Sequence, residues 1–121
     1  MIKLLAVDDE MGICNIIKKT FVPTGFTVFT ANSGKEALAV VRKEKPHIVF
    51  LDIMMPGMNG LEALREIKKL DKAIKVIMVT VMDDPGTREE AKRGGAEEFV
   101  TKPFLPGHLE ELVRKIIQDA F

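Results

Sequence analysis

The chain of 121 residues holds a single cysteine, Cys14, so neither an internal disulfide nor a CxxC site is possible. Cys14 falls on an apolar helical face, where a thiol packs as a small hydrophobe. Neither sign of charge is in excess: Lys+Arg and Asp+Glu both number 18 and the net charge is zero. No basic surplus therefore marks the chain for nucleic acid or an anionic membrane. Long hydrophobic runs are missing as well. Asp52 and Lys75 interrupt the best candidates, and no membrane-spanning helix is expected. Asp8, Asp9 and Glu10 come too early for a signal peptide, which makes a cytoplasmic location the expectation. Repeats, linkers and low-complexity tracts are lacking too. What remains is a globular balance, 46% hydrophobic and 30% charged, over a length that suits one domain with a full core.

Strand-like and helix-like segments alternate along the chain. Residues 2–7 form a mostly apolar run, and 11–22 have helical periodicity that stops before Pro23. Residues 26–30 are strand-like. Residues 33–45 are helical, opened by an S-x-x-E capping box (Ser33, Glu36) and stopped by Pro46. The apolar run 48–51 reads as a third strand, 61–70 as a third helix and 76–80 as a fourth strand. A short helix over 87–93 is opened by a second capping box (Thr87, Glu90) and stopped by Gly94-Gly95. A brief strand at 99–101 precedes a last helix over 109–120, whose apolar residues at 109, 112, 113, 116 and 117 share one face. Five β-α pairs with largely apolar strands imply an α/β fold, a parallel sheet covered by helices on both sides. Function in such sheets gathers at the carboxyl ends of the strands, at a topological switch point.

Those strand ends carry chemistry. Asp8 and Asp9 follow the first strand, Asp52 the third; Thr80 ends the fourth; Lys102 and Pro103 follow the fifth. With the first strand beside the third, three carboxylates converge and repel one another. A hard divalent cation such as Mg²⁺ relieves that repulsion. Carboxylate, cation, hydroxyl and ammonium on one rim describe a pocket for an oxyanion such as phosphate. Each residue also has a plainer reading: Asp9 as a helix cap, Asp52 as an N-cap or turn acid, Thr80 as a strand end, Lys102 as a solvated cation. His47 and His108 begin different elements and share no metal-ligand spacing.

The blocks AVDDE at 6–10, FLDIMMPGMNG at 50–60, VT at 79–80 and FVTKPF at 99–104 resemble, in order and spacing, the receiver domain of two-component response regulators. The resemblance covers the whole chain. It implies a flavodoxin-like (βα)5 doubly wound sheet of strand order 2-1-3-4-5, and one receiver domain across 1–121 with no output domain. It further implies that Asp52 takes a phosphoryl group from a phosphohistidine on a sensor histidine kinase or phosphotransfer protein. Asp9 would bind Mg²⁺ (with Mn²⁺ as a substitute) directly and Asp8 through water, while Asp52 and the carbonyl of Met54 complete the protein ligands. Thr80 would bond the phosphoryl oxygen and Lys102 would pair with the phosphate. Phe99 matches the aromatic switch position, which turns inward as Thr80 moves, and the Lys102–Pro103 bond is cis in the family. Such a protein catalyses its own phosphotransfer and slow dephosphorylation rather than turning over a substrate. It signals to an effector through the fourth helix, fifth strand and last helix, as a monomer or a phosphorylation-dependent homodimer.

Departures from the family pattern are informative. Val81 stands where Ala or Gly is usual and narrows the approach to Asp52. Met54 and Met82 occupy positions that influence dephosphorylation, and two large apolar side chains are expected to prolong the phosphoryl group's life. Phe99 lacks the hydroxyl of the commoner Tyr, so its switching is expected to work by packing alone. Ala91 is the one apolar residue of 87–93, which makes that helix marginal and suited to shift. In the first helix Ile16, Ile13, Ile17, Phe21 and Cys14 span an arc of roughly 160°. That is wider than a core stripe needs, and its edge at Ile16 beside Gly12 is expected to dock a kinase or phosphotransfer helix. Two rivals stand beside the receiver: a Mg²⁺-dependent aspartyl phosphatase, which lacks its second acid because residue 54 is Met, and a degenerate receiver that only binds partners.

Overall fold

A computed structural model describes residues 1–120. Five strands, β1 (Lys3–Val7), β2 (Thr27–Ala31), β3 (Ile48–Leu51), β4 (Lys75–Thr80) and β5 (Glu98–Thr101), form one parallel sheet in the order β2-β1-β3-β4-β5. The connections are α1 (Met11–Phe21) with a 3₁₀ turn at Val22–Thr24, α2 (Gly34–Glu44), α3 (Gly60–Leu70) and α4 (Pro85–Arg93), and α5 (Pro106–Ala120) follows β5. The flavodoxin-like doubly wound fold implied by the sequence is therefore the one observed.

Period-2 alternation assigns the strand residues to two cores. Leu5, Val7, Val49, Leu51, Val76 and Met78 face α2, α3 and α4, which contribute Leu38, Val41, Ala63, Leu64, Ile67 and Ala91. Leu4, Ala6, Ile48, Phe50, Ile77 and Val79 face the other way, against Cys14, Ile17 and Phe21 of α1 and Leu109, Val113 and Ile116 of α5. A one-residue slip would exchange the faces, so the register is strongly fixed. It aligns Val7 with Leu51, and Thr80 with Thr101, so the strands end together at one edge.

The helix starts show how local chemistry sets that edge. Ser33 Oγ accepts from the Glu36 amide at 3.1 Å, as the capping signature predicts. Asn59 Oδ1 accepts from the Glu62 amide at 3.0 Å, so α3 begins at Gly60. A Cβ on Gly60 would stand 2.0 Å from the Asp52 carbonyl oxygen and 2.6 Å from Ile53 Cα. Only glycine lets α3 begin so close behind β3.

The fourth helix departs from expectation. The Thr87/Glu90 signature does not open it: Asp84 is the N-cap, accepting from the Thr87 amide at 3.0 Å, and Pro85 takes the first turn, where its missing N–H costs nothing. Thr87 already lies inside, half a turn later, with its hydroxyl donating to Asp84 Oδ1 at 2.7 Å. The helix is longer than the sequence suggested and buries Thr87 as well as Ala91. Likewise α5 starts at Pro106 rather than 109, again with proline at its head.

Candidate functional site

β1 and β3 are neighbours whose chains leave the sheet side by side. The ladder runs one residue beyond each strand: the Asp8 amide donates to the Ala31 carbonyl, and the Asp52 amide to the Val7 carbonyl, both at 3.1 Å. Both acids are thereby held by backbone that belongs to the sheet. Asp8 is 2% and Asp52 4% exposed, while Asp9 is open to solvent. One carboxylate oxygen from each of Asp8, Asp9 and Asp52 lies within 4.8 Å of the others. Beneath them the Cys14 thiol approaches the Asp8 and Ala6 carbonyls, each at 3.6 Å.

Lys102 enters from β5. Its amide donates to the Thr80 carbonyl at 2.8 Å, and its peptide bond to Pro103 is cis. The ammonium donates to Asp8 Oδ2 at 2.7 Å and Asp52 Oδ2 at 3.3 Å, with Glu10 Oε1 3.6 Å away. Thr80 is fully buried, and its hydroxyl accepts from the Met82 amide at 3.3 Å. Burial pushes the Asp8 carboxyl above its usual range, against the pull of the Lys102 hydrogen bond and the Glu10 amide. For Lys102, burial pulls downward, but the Asp8 hydrogen bond and the charges of Asp52 and Asp8 prevail and hold it above its usual value.

This geometry disposes of several plainer readings. Asp9 is not a helix cap: the N-cap position of α1 belongs to Glu10, whose side chain caps nothing. Asp52 does not cap α3, which has Asn59; beside the Lys102 contact it accepts from the Met54 amide at 3.4 Å, a turn bond that leaves its other carboxylate oxygen to the ammonium. Lys102 is no solvated cation, since its side chain is 9% exposed. Met54 itself is exposed and, with Ile53, Met55, Pro56, Asn59, Leu61 and Met82, lines an open, mostly apolar groove of about 460 Å³ built largely from the segment that follows Asp52. Val81 projects into solvent. On α1, Cys14, Ile17 and Phe21 are core, while Ile16 is 40% exposed beside an exposed Gly12.

Two residues escaped the sequence reading. Glu10 is one; it sits in the AVDDE block, but no strand tip pointed to it. Arg88 is the other. Its guanidinium lies 4.6 Å from the centroid of the half-buried Phe99 ring. The resting Phe99 ring therefore meets a cation as well as apolar neighbours. Among the described residues no helix is long and apolar enough to cross a membrane.

The chain is similar to known proteins over nearly its whole length. The chain is 36% identical over 115 residues to sporulation initiation phosphotransferase F of Bacillus subtilis (strain 168), covering 95% of this chain and 93% of that one. It is 38% identical over 118 residues to the probable transcriptional regulator ycf27 of Pyropia yezoensis, covering 98% of this chain and 48% of the relative. The chain thus spans about half the length of the ycf27 proteins it matches. Among solved structures it superimposes on a CheY-like response regulator receiver domain protein from Methanospirillum hungatei JF-1 with a TM-score of 0.96, at 28% identity over 99% of this chain and 96% of that one. It matches the BeF3-activated DrrB receiver domain with a TM-score of 0.90, at 31% identity over 98% of each chain. The family model for the response regulator receiver domain runs across residues 4–114, taking in both acidic strand tips, the buried hydroxyl and the lysine, and the chain belongs to that family.

Proposed function

We propose that the chain, as a single receiver unit over 1–121, is a phosphoacceptor that takes a phosphoryl group onto Asp52 from a phosphohistidine on a sensor kinase or phosphotransfer protein. The observation that carries this reading is the convergence of Asp8, Asp9 and Asp52 oxygens within 4.8 Å, with the Lys102 ammonium bridging Asp8 and Asp52. An Asp52 carboxylate oxygen attacks phosphorus, the P–N bond breaks, and the donor imidazole leaves with the bonding pair. Little covalent work falls to the protein; it must align the nucleophile and neutralise the equatorial oxygens. Lys102 shifts from the carboxylates to the incoming phosphoryl group, and the Thr80 hydroxyl donates to one of its oxygens.

Three carboxylates facing one ammonium leave the crevice net negative, and hard oxygen donors suit a small divalent cation. Mg²⁺ (or Mn²⁺) would be held by Asp8, Asp9, Asp52 and the Met54 carbonyl, and would supply further neutralisation of phosphoryl charge. Water returns Asp52 to its resting form by hydrolysing the acyl phosphate. The apolar groove of Met54 and Met82 hinders that step and gives the adduct a long life; Val81, which projects into solvent, takes no part.

The half-exposed Ile16 and the open surface at Gly12 receive the donor protein's helix, and the α4–β5–α5 face carries the signal onward to an effector or a second copy. Incubation with Mg²⁺ and acetyl phosphate, followed by intact mass, tests the assignment. One phosphoryl group on the wild type and none on Asp52→Asn is the expected result. Steady phosphate release would favour an aspartyl phosphatase, and no reaction a purely binding module.

A further inference from the structure

Arg88 gathers three partners from three places. Its Nε pairs with Asp83 Oδ1 in the loop before α4, and Nη2 lies 3.4 Å from Thr101 Oγ1 on β5. Its guanidinium also covers Phe99, 4.6 Å from the ring centroid. The register places Thr101 opposite Thr80, and Phe99 opposite Met78. Phe99 also packs against the core cluster that contains Met78 and Ala91. The ring thus has apolar core on one side and a cation on the other.

An exposed ion pair alone would decide little, and the Arg88 and Asp83 side chains are 47% and 43% exposed. The combination is different. Asp83 fixes the planar fork, so little freedom remains to be lost when the guanidinium meets the ring. A cation over a ring favours one ring position over any other that leaves the cation behind. The same guanidinium bonds the strand residue next to the hydroxyl proposed to sense the phosphoryl group.

We propose that Arg88 is a positioning residue: a latch that holds Phe99 in its resting, half-exposed place and is released when Asp52 is phosphorylated. This rests on the receiver function proposed above. Because coupling is reciprocal, whatever favours the resting ring position weakens binding of a phosphoryl group at Asp52 by the same factor.

The test uses Arg88→Met, which keeps the alkyl stem and the helix propensity but removes the charge and the fork. Fluoroberyllate with Mg²⁺, the phosphoryl mimic, is titrated against wild type, Arg88→Met and Asp83→Asn. Ring resonances of Phe99 are followed by NMR in the resting proteins. The latch requires roughly three- to five-fold tighter fluoroberyllate binding in Arg88→Met. It also requires a shifted Phe99 resonance before any mimic is added, with Asp83→Asn moving both readouts less and in the same direction. Arg88→Met with a lowered Tm but unchanged affinity and an unchanged Phe99 resonance would show a merely structural arginine and overturn the latch. A wild type that binds no fluoroberyllate would refute the receiver reading and the latch with it. Equal binding by wild type and Arg88→Met refutes the latch alone.

Discussion

The Lys102 ammonium lies 2.7 Å from Asp8 Oδ2 and 3.3 Å from Asp52 Oδ2, so one cation from β5 ties together the acidic tips of β1 and β3. The pair is almost entirely out of water, with side-chain exposures of 9% for Lys102 and 3% for Asp8. Without a metal, Lys102 alone among the crevice groups offsets the repulsion of the acids.

Removing that cation should therefore depend on pH. The folded-state pKa of Lys102 is raised, so its contribution is fully present below the ordinary lysine value and is lost only as pH climbs through the raised one. The Asp8 pKa is also raised, so ionised Asp8 costs the fold stability above that value, and the cost fades as pH falls toward the ordinary carboxyl range. Lys102→Met should lower stability in urea by about 3 kcal/mol at pH 7. The loss should shrink at pH 4, because the raised pKa lets Asp8 go neutral more readily than an ordinary carboxyl. Equal losses at both pH values would contradict this.

Mg²⁺ should stabilise the folded chain by mass action, since the unfolded chain has no assembled site. At ten times its dissociation constant the gain is about 1.4 kcal/mol, a rise in Tm on the order of 5 °C. Asp8→Asn or Asp9→Asn should diminish that rise, and in metal-free buffer either variant should melt no lower than wild type because one repelling charge is gone. Thermal melts with and without Mg²⁺ measure both effects.

Gly60→Ala should be damaging beyond the usual helix-start substitution. Its methyl would meet the Asp52 carbonyl at 2.0 Å, a clash only backbone movement can relieve. A loss of roughly 1–3 kcal/mol is expected in denaturant. Reaction with acetyl phosphate should slow as well, under conditions where the variant is fully folded, because the displaced backbone carries the proposed nucleophile.

Ile16 and Ile17 form a paired test on α1. Ile17 is 2% exposed and packs in the core, so Ile17→Ala should cost about 2–5 kcal/mol. Ile16 is 40% exposed, and Ile16→Ala should change stability by less than about 1 kcal/mol while slowing phosphotransfer from a histidine kinase several-fold. A stability loss with normal transfer would place Ile16 in the core instead.

The adduct on Asp52 should decay slowly, and Met54→Asn should shorten its half-life several-fold by giving water a polar edge to approach. Timed intact-mass spectra after removal of acetyl phosphate measure this. A wild-type half-life of seconds would remove any role for the methionine groove in excluding water.

Much of this site was legible because its chemistry sits at strand ends. Apolar runs placed β1, β3 and β4; the acids follow the first two, Thr80 ends the third, and Lys102 comes directly after the brief β5. The helix starts were harder. Thr87 and Glu90 match a capping signature, yet Asp84 supplies the cap because Pro85 prefers the first turn to the loop. Glu10 and Arg88 were invisible for another reason. Each contacts a residue from a different element, Lys102 and Phe99, and neither periodicity nor local spacing reports such pairs. Gly60 could be quoted from the sequence, but its close approach to Asp52 exists only once α3 turns back behind β3.

Cys14 hangs directly below the acid-bearing corner, with its Sγ 3.6 Å from the Asp8 carbonyl. Burial, and then the Asp8 charge, push its thiol pKa up, so the closed protein offers almost no thiolate to an alkylating reagent. Modification must await an opening that separates α1 from the tip of β1. The chain therefore carries a native chemical timer, read by mass alone, for how often the proposed signalling centre comes apart.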